Sequence, residues 1–518
     1  MDFSLIRSLR EKVDSERGIR PATRHAPVRA VLAYPSPYSV AMSSLGYLQV
    51  QRLFDLRPGS CVERAVLPTP EEREVHRRTR TPLLTLESQR PVSDFDLFAI
   101  SHAYELEAAG IAELFELAGV APRPKDRTAN DPLVVLGGPI TFSNPLPSAG
   151  FADIVILGEA EQALGELLDR LEADPSAARG SESSRARLLE ELAGLDGFYV
   201  PRLHGEALRP IARADDEHLP ARSSIWTPHA ELSNMFLIEP ERGCHRGCTF
   251  CVMRRTTNGG MRTVTPELLC SLVPADAEKV GLVGAAVTDH PHIRDILREL
   301  VEARGKRIGI SSLRADRLDD ELVRLLALGG YRAMTVALDA PSERLRRDIE
   351  KILKERHIEA AATLAKRHGM KHLKIYVVVC LPTESEADLD ELIAFVRRLS
   401  KTIPIVLGVS PLVPKLNTPL ARESFAGEAS AAQTLRHLSR GLKGRAEVRA
   451  PSPREAYVEY RLAQGGLGHV EAAIAAARGG GTLAAWKRAL ESLPERIDLE
   501  RFAHAIPVSA RRALPLAG

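Results

Sequence analysis

Cysteine is scarce, with six residues in 518. Scarcity on that scale excludes a disulfide framework and predicts a reducing, cytoplasmic setting. Net charge is nearly absent too: 70 basic against 68 acidic residues leave +2. Composition therefore gives no electrostatic ground for a membrane or nucleic-acid partner. No run of eighteen apolar residues occurs, so no transmembrane helix is expected. The charged start, Met1 to Gly18, lacks the apolar core of a signal peptide. No repeat of 20–50 residues appears, which sets aside solenoids and propellers. What remains is ordinary soluble composition, 44% hydrophobic and 27% charged, in a chain long enough for about three domains.

Apolar runs alternate with helical patterns. Val28–Pro35, Asp94–Ser101, Leu133–Gly138 and Ile154–Glu159 read as buried strands, with helical stretches after Ser43, Tyr104 and Glu161. Such alternation predicts a doubly wound, Rossmann-like parallel sheet whose ligands would sit at the strands' carboxyl ends. From Met235 the alternation resumes, with strands at 235–239, 280–284, 307–310, 333–338, 373–379 and 405–409. Six βα units fall short of the eight of a closed barrel and predict a partial, open one. The expected organisation is an N-terminal helical segment (1–27), a Rossmann-like domain (28–173), a linker and bridging segment (174–230), a partial barrel (231–425) and a small helical C-terminal region (426–518). Asp174–Ala186, small and polar, reads as linker or surface loop. Charge-rich Glu71–Arg80 and Ser342–Arg356 read as solvated helix faces.

Half of the cysteines fall in one eight-residue window, at Cys244, Cys248 and Cys251. The window follows the barrel's first strand, at the face where βα barrels carry their active sites. Three thiolates on a Gly-containing loop suit an iron–sulfur cluster with one iron left open. Gly243 and Gly247 admit close backbone approach, and Phe250 would shield the cluster. On the residues alone three other readings stay open. Positions i, i+4 and i+7 share a helix face and could be core thiols. A zinc site could recruit His245 or Cys270 as a fourth ligand. Cys248–Cys251 could be a redox pair. Cys61, Cys270 and Cys380 sit among apolar residues and are expected to be buried, inert thiols.

CxxxCxxC with an aromatic before its last cysteine resembles the radical S-adenosylmethionine (SAM) superfamily. The resemblance implies a 4Fe-4S cluster on Cys244, Cys248 and Cys251, with SAM chelating the open iron. One electron to the sulfonium would then give methionine and a 5′-deoxyadenosyl radical that abstracts a substrate hydrogen. An electron donor such as flavodoxin or ferredoxin is implied. Further matches run over Met235–Leu420. Ser311-Ser312-Leu313-Arg314 ends the third strand, Leu338-Asp339-Ala340-Pro341-Ser342 the fourth, and Cys380-Leu381-Pro382-Thr383-Glu384 the fifth. Phe250, Gly284, Ser312, Arg314, Asp339, Ser342 and Val409 are the implied SAM contacts, with Pro411 beside Val409 at the adenine. After the second strand stands Gly284-Ala285-Ala286, without the family's Gly-Gly-Glu.

A doubly wound domain before such a barrel resembles a cobalamin-binding domain. That likeness implies corrinoid contacts at Ser101, His102, Gly137, Gly138, Gly158 and Glu159, although the family's Asp-x-His-x-x-Gly is missing. The whole is similar to an uncharacterised radical SAM family fused to a cobalamin-like domain. It departs in the tail, where Gln464-Gly465-Gly466-Leu467-Gly468 replaces a basic Arg-Gly-Asp run. The expected function is a transferase, methylating an unactivated carbon of a small-molecule or peptide substrate if cobalamin binds. A methylthiotransferase acting on tRNA or protein is the alternative, although that class brings three more cysteines. A non-catalytic corrinoid or cluster sensor is the other. The sequence names no catalytic residue and no oligomeric state.

Overall fold

The computed structural model describes residues 2–19, 26–253 and 260–497. They form two compact units: Met1–Asn234 with Arg461–Gly518, and Met235–Tyr460. In the first, a six-stranded sheet comprises β1 (Val28–Tyr34), β2 (Ser60–Val66), β3 (Leu97–Ser101), β4 (Leu133–Gly137), β5 (Ile154–Ile156) and β6 (Phe198–Tyr199). Its order is β2-β1-β3-β4-β5-β6. The first five strands pair in parallel and β6 runs antiparallel to β5. All of β3 and six of the seven residues of β1 are buried, as expected when helices cover both faces of a parallel sheet. On β2, Arg64 lies fully inside, donating to Glu16 at 2.8 Å and to Glu87 at 2.7 Å. Breaking such a buried pair leaves an uncompensated charge, at a cost of about 3–5 kcal/mol.

The expected linker is not one. Residues 182–193 form a helix, and buried Arg185 donates to the carbonyls of Thr128 and Asp131 at 3.0 and 2.7 Å. Small polar residues suggested a free loop; one guanidinium that satisfies several carbonyls makes it part of the fold. The tail also returns to this unit: Asn144 donates to the carbonyls of Ala463 and Gly465 at 3.1 and 2.8 Å.

Among the described residues, seven strands build the two parallel sheets of the second unit. They are β7 (Met235–Ile238), β8 (Lys279–Leu282), β9 (Arg307–Ile310), β10 (Met334–Asp339), β11 (Leu373–Val379), β12 (Ile405–Pro411) and β13 (Ala446–Arg449). All pairings are parallel, in two sheets ordered β9-β8-β7 and β10-β11-β12-β13. The six expected βα units are present. From 426 on the described chain is mainly helical, with helices at 428–441, 453–463, 469–478 and 483–490, but β13 lies within this region and extends the sheet, so the second unit runs to Tyr460. β13 reads Ala-Glu-Val-Arg and is half-exposed, an edge strand without the apolar run that marks its neighbours. On β11, Leu373, Ile375, Val377 and Val379 are buried, while Tyr376 on the opposite face is 45% exposed. Strand alternation thus sets a helix-covered outer face against an inner face. No helix among the described residues is long and apolar enough to cross a membrane.

Two helical glycines make the packing testable. A Cβ at Gly110 would lie 2.4 Å from the Pro35 carbonyl oxygen, whereas one at Gly46 would meet nothing within 4 Å. Gly110→Ala should destabilise by about 1–3 kcal/mol through overpacking. Gly46→Ala should stabilise by up to about 1 kcal/mol through helix propensity. Urea-unfolding midpoints of the full chain should move down and up respectively.

Candidate active site

The cysteine loop leaves β7 through a short antiparallel ladder, Glu241–Gly243 against Met261–Thr263. Gly243, at φ +88°, turns the chain into Cys244 in a conformation that glycine adopts without strain. Cys244, Cys248 and Cys251 are each half-buried. Burial raises Cys248 above the ordinary thiol value and pushes Cys251 up to about 11. Such thiols stay protonated at neutral pH unless a metal takes them. Among the described residues no three His, Cys, Asp or Glu groups converge as a single-metal site requires. A cubane makes no such demand, because each thiolate takes a different iron. Three thiols on one loop are the donor set that such a cluster takes.

One side of the loop is held by charge. Asp289, its side chain wholly buried, receives Arg246 from within the cysteine motif through two bonds of 3.1 and 3.0 Å. Arg317 adds a bond of 2.9 Å and Arg314 an ion pair of 3.5 Å. Burial opposes ionisation of Asp289, but the three guanidinium groups outweigh it and hold the carboxyl below its ordinary value. The other side is held by packing and backbone. The Thr249 amide donates to the Ile349 carbonyl at 3.1 Å. Phe250 packs against Ala340, Leu345, Ile349, Leu381 and Leu412, from the loops after β10, β11 and β12.

Five of the seven implied SAM residues stand on these strand-end loops. Phe250 and Arg314 were placed above. The Ser312 hydroxyl donates to the Gly284 carbonyl at 3.2 Å and accepts from the Val287 amide at 3.0 Å, joining the ends of β8 and β9. Asp339, at φ +66°, ends β10 and ion-pairs with Lys351. Two others are placed differently. Val409, 1% exposed, shares the outer face with Val377, while Ser410 and Gly408 lie on the inner one. A one-residue step in a strand changes the face. Ser342 is fully buried, caps the helix Glu343–Asp348 and donates to Asp388, so its hydroxyl is already committed. Cys61 and Cys380 are half-buried rather than buried, and Cys380 stands at φ +60° where the resembling turn has glycine.

Sequence reasoning missed Glu241. Its side chain fills the space left by Gly284, where a Cβ would lie 2.3 Å from Oε1. Oε1 accepts from the Ala286 amide at 2.7 Å, and Oε2 is buried without a hydrogen-bond partner. Burial raises this carboxyl to about 7. Glu384, after β11, is raised to about 7 by burial as well, although it accepts from the Cys380 amide at 2.9 Å. The inner face of β11 also went unnoticed. There the Lys374 ammonium donates to the Tyr376 hydroxyl at 2.7 Å and lies 4.5 Å from the ring centroid. The only signal for it was period-two alternation.

In the N-terminal sheet the implied corrinoid residues mostly serve the chain itself. A Cβ at Gly138 would lie 2.5 Å from the His102 carbonyl oxygen, and one at Gly158 2.5 Å from that of Ala212. Glu159 accepts from the Ala214 amide at 2.9 Å. His102 is buried and bonded through Nε2 to the Tyr104 carbonyl at 2.7 Å. At the crossover between β1 and β3, Glu107 accepts from the Ala103 amide, the Tyr104 amide and the Ser36 hydroxyl at 2.8–3.2 Å. Ser101 ends β3, and a Cβ at Gly137 would make only ordinary contact, nearest the Ile156 carbonyl oxygen at 3.7 Å.

The Glu241 proton sets a pH dependence. The folded protein holds it up to about pH 7, while the unfolded chain releases it near 4.5. Raising pH through that window therefore favours unfolding, by up to about 3 kcal/mol. Glu241→Gln keeps the Ala286 bond and removes the ionisable proton. The thermal midpoint of the variant should fall less between pH 5 and 8 than that of the parent. Equal falls would show that Glu241 is ionised throughout.

A family model described as radical SAM proteins, N-terminal, matches residues 46–201, and one described as radical SAM superfamily matches 238–396. An uncharacterized protein of Methanocaldococcus jannaschii is 29% identical over 371 residues, which are 69% of this chain and 75% of that protein. The ribosomal protein uS12 methylthiotransferase RimO of Chlorobium phaeobacteroides is 26% identical over 236 residues, 42% of this chain and 53% of its own. Among solved structures, the apo form of the cobalamin-dependent S-adenosylmethionine radical enzyme OxsB superposes with a TM-score of 0.51 at 13% identity. That match covers 73% of this chain and 52% of OxsB, so the chain spans about half of OxsB and of RimO, and the likeness to OxsB concerns the fold. The cysteine loop lies inside the second family match, so the part of the chain that carries it, residues 238–396, matches the radical SAM superfamily.

Proposed function

We propose that the chain is a radical SAM enzyme in which Cys244, Cys248 and Cys251 hold a 4Fe-4S cluster whose fourth iron is kept for SAM. The observation that carries the reading is the loop itself: three half-buried thiols at the end of β7, held on both sides, without a fourth cysteine beside them. Bound there, cluster and cofactor would supply a 5′-deoxyadenosyl radical that takes hydrogen from the substrate. The protein's part is positioning and exclusion of water. Asp289 fixes Arg246 and so the first half of the loop. Phe250 seals the second half against apolar neighbours. Arg314 is the cation suited to the SAM carboxylate, and Gly284 and Ser312 shape the wall beside it. Tyr376 and Lys374 would face a substrate on the inner side of β11.

Methylation of an unactivated carbon with cobalamin in the N-terminal unit is a second reading. It is favoured by the β2-β1-β3-β4-β5 order, whose crossover is where such sheets bind ligands, and by the fold likeness to OxsB. Against it, Gly138, Gly158, Glu159 and His102 each already contact another part of the chain. A methylthiotransferase reading has the identity to RimO in its favour, but Cys61 is the sole cysteine of the N-terminal unit, where that class brings three.

Anaerobically reconstituted protein should show cluster absorption and form 5′-deoxyadenosine from SAM and a strong reductant. Cys248→Ser should lower that rate by more than about a hundredfold, beyond the range of outer-shell changes, while Cys270→Ser leaves it unchanged. Absence of 5′-deoxyadenosine from the parent protein, with or without candidate substrates, would sink the enzyme assignment. Gel filtration with added cobalamin separates the first two readings: the primary one expects no corrinoid bands with the protein, and stoichiometric retention would move the assignment to the second.

A further inference from the structure

The turn after the helix Glu343–Asp348 carries a lysine against the cysteine loop. The turn is fixed from beneath: Arg346, 1% exposed, donates to the carbonyls of Leu353, Ala340 and Pro341 at 3.0–3.3 Å. Glu350 stands at φ +54°, and the Lys351 amide donates to the Arg346 carbonyl at 2.8 Å. The Thr249 amide, one residue from Cys248, docks on Ile349 of the same turn at 3.1 Å. Lys351, its side chain 10% exposed, is paired with Asp339, 13% exposed and itself in the left-handed region. This is a preorganised pair of opposite charges, shielded from water, on the Cys248 side of the loop.

We infer that Lys351 and Asp339 set the reduction potential of the cluster, Lys351 raising it and Asp339 trimming that effect. The inference rests on the radical SAM reading of the cysteines. When a low-potential donor of the flavodoxin or ferredoxin kind passes one electron to the cluster, the site gains one negative charge. A fixed cation in a weakly screened interior stabilises the reduced form, and a fixed anion destabilises it. Neither residue touches the reacting atoms on this account; both act through the field at Cys248. Asp339 was expected as a SAM contact, and its ion pair gives it a prior partner.

The test uses the reconstituted full chain without SAM, titrated with dithionite and redox mediators and followed by electron paramagnetic resonance of the reduced cluster. Lys351→Met should lower the reduced-to-oxidised ratio severalfold at a fixed ambient potential. Asp339→Asn should raise it, and Lys351→Arg should match the parent. A purely structural pair predicts something else: either substitution breaks the same ion pair, so both would shift the potential in one direction or not at all. Either of those outcomes overturns the inference. If Lys351→Met does not fold, the sign for Asp339→Asn decides alone. Failure of the parent protein to take up any cluster would instead overturn the reading of the cysteines.

Discussion

Asp289 brings one negative charge to a place where three guanidinium groups meet it, and one of the three comes from inside the cysteine motif. Without that carboxylate, Arg246 would face Arg314 and Arg317 with only Asp316, paired to Arg314 at 2.9 Å, to offset them. Half-buried thiols gain little from packing on their own, and a loop of seventeen residues between two short strands closes at an entropic cost. The Asp289 cluster holds the loop at Arg246, and the Thr249–Ile349 bond with the packing of Phe250 holds it at 249–250. Around Cys248 the result is a rigid, partly dry setting, the kind in which nearby charges act with little screening.

The same rim concentrates backbone conformations that side chains rarely adopt. Asp339 and Cys380 follow one another around the carboxyl ends of β10 and β11 at φ +66° and +60°. Each costs on the order of 1 kcal/mol or more and persists only where the surroundings fix it. At Asp339 the surroundings are Lys351 and a register shift between β10 and β11. At Cys380 they are Glu384, whose carboxylate accepts the Cys380 and Leu381 amides. Such strain in the strand interiors would serve nothing. At the strand ends it accompanies the Asp339–Lys351 pair and the Glu384 bonds to the Cys380 and Leu381 amides.

Much of this was legible in the sequence because it lies in period and spacing. Six barrel strands were readable as apolar runs, and the cysteines announced themselves by clustering. β13 was not readable, because Ala-Glu-Val-Arg at an edge carries no apolar run. Lys351 and Arg346 were hidden for a related reason. Ser342–Arg356 is rich in charge, and charge in a helical stretch usually marks a solvated face, yet here Arg346 is interior and serves three carbonyls. Glu241 was hidden because its meaning depends on Gly284, forty-three residues away, whose missing side chain makes the space. Val409 was harder to place, because a one-residue step along β12 separates its buried face from that of Ser410.

The two units use their strand ends in opposite ways. In the N-terminal sheet the chain closes them itself: Ala212 lies along Gly158 through bonds of 2.7 and 3.1 Å, the His102 backbone fills the space at Gly138, and Glu107 takes the free amides at the crossover. In the barrel the corresponding ends keep unmatched chemistry: three thiols, an unpartnered Glu241 oxygen, and more guanidinium groups than carboxylates around Asp289. Glycines at strand ends occur in both, so glycine alone does not distinguish a cofactor cradle from a close backbone crossing. What distinguishes them is whether another part of the chain already stands where the missing side chain would be. By that criterion the N-terminal sheet has largely satisfied its own strand ends, while the barrel's ends keep groups that no other part of the described chain takes up.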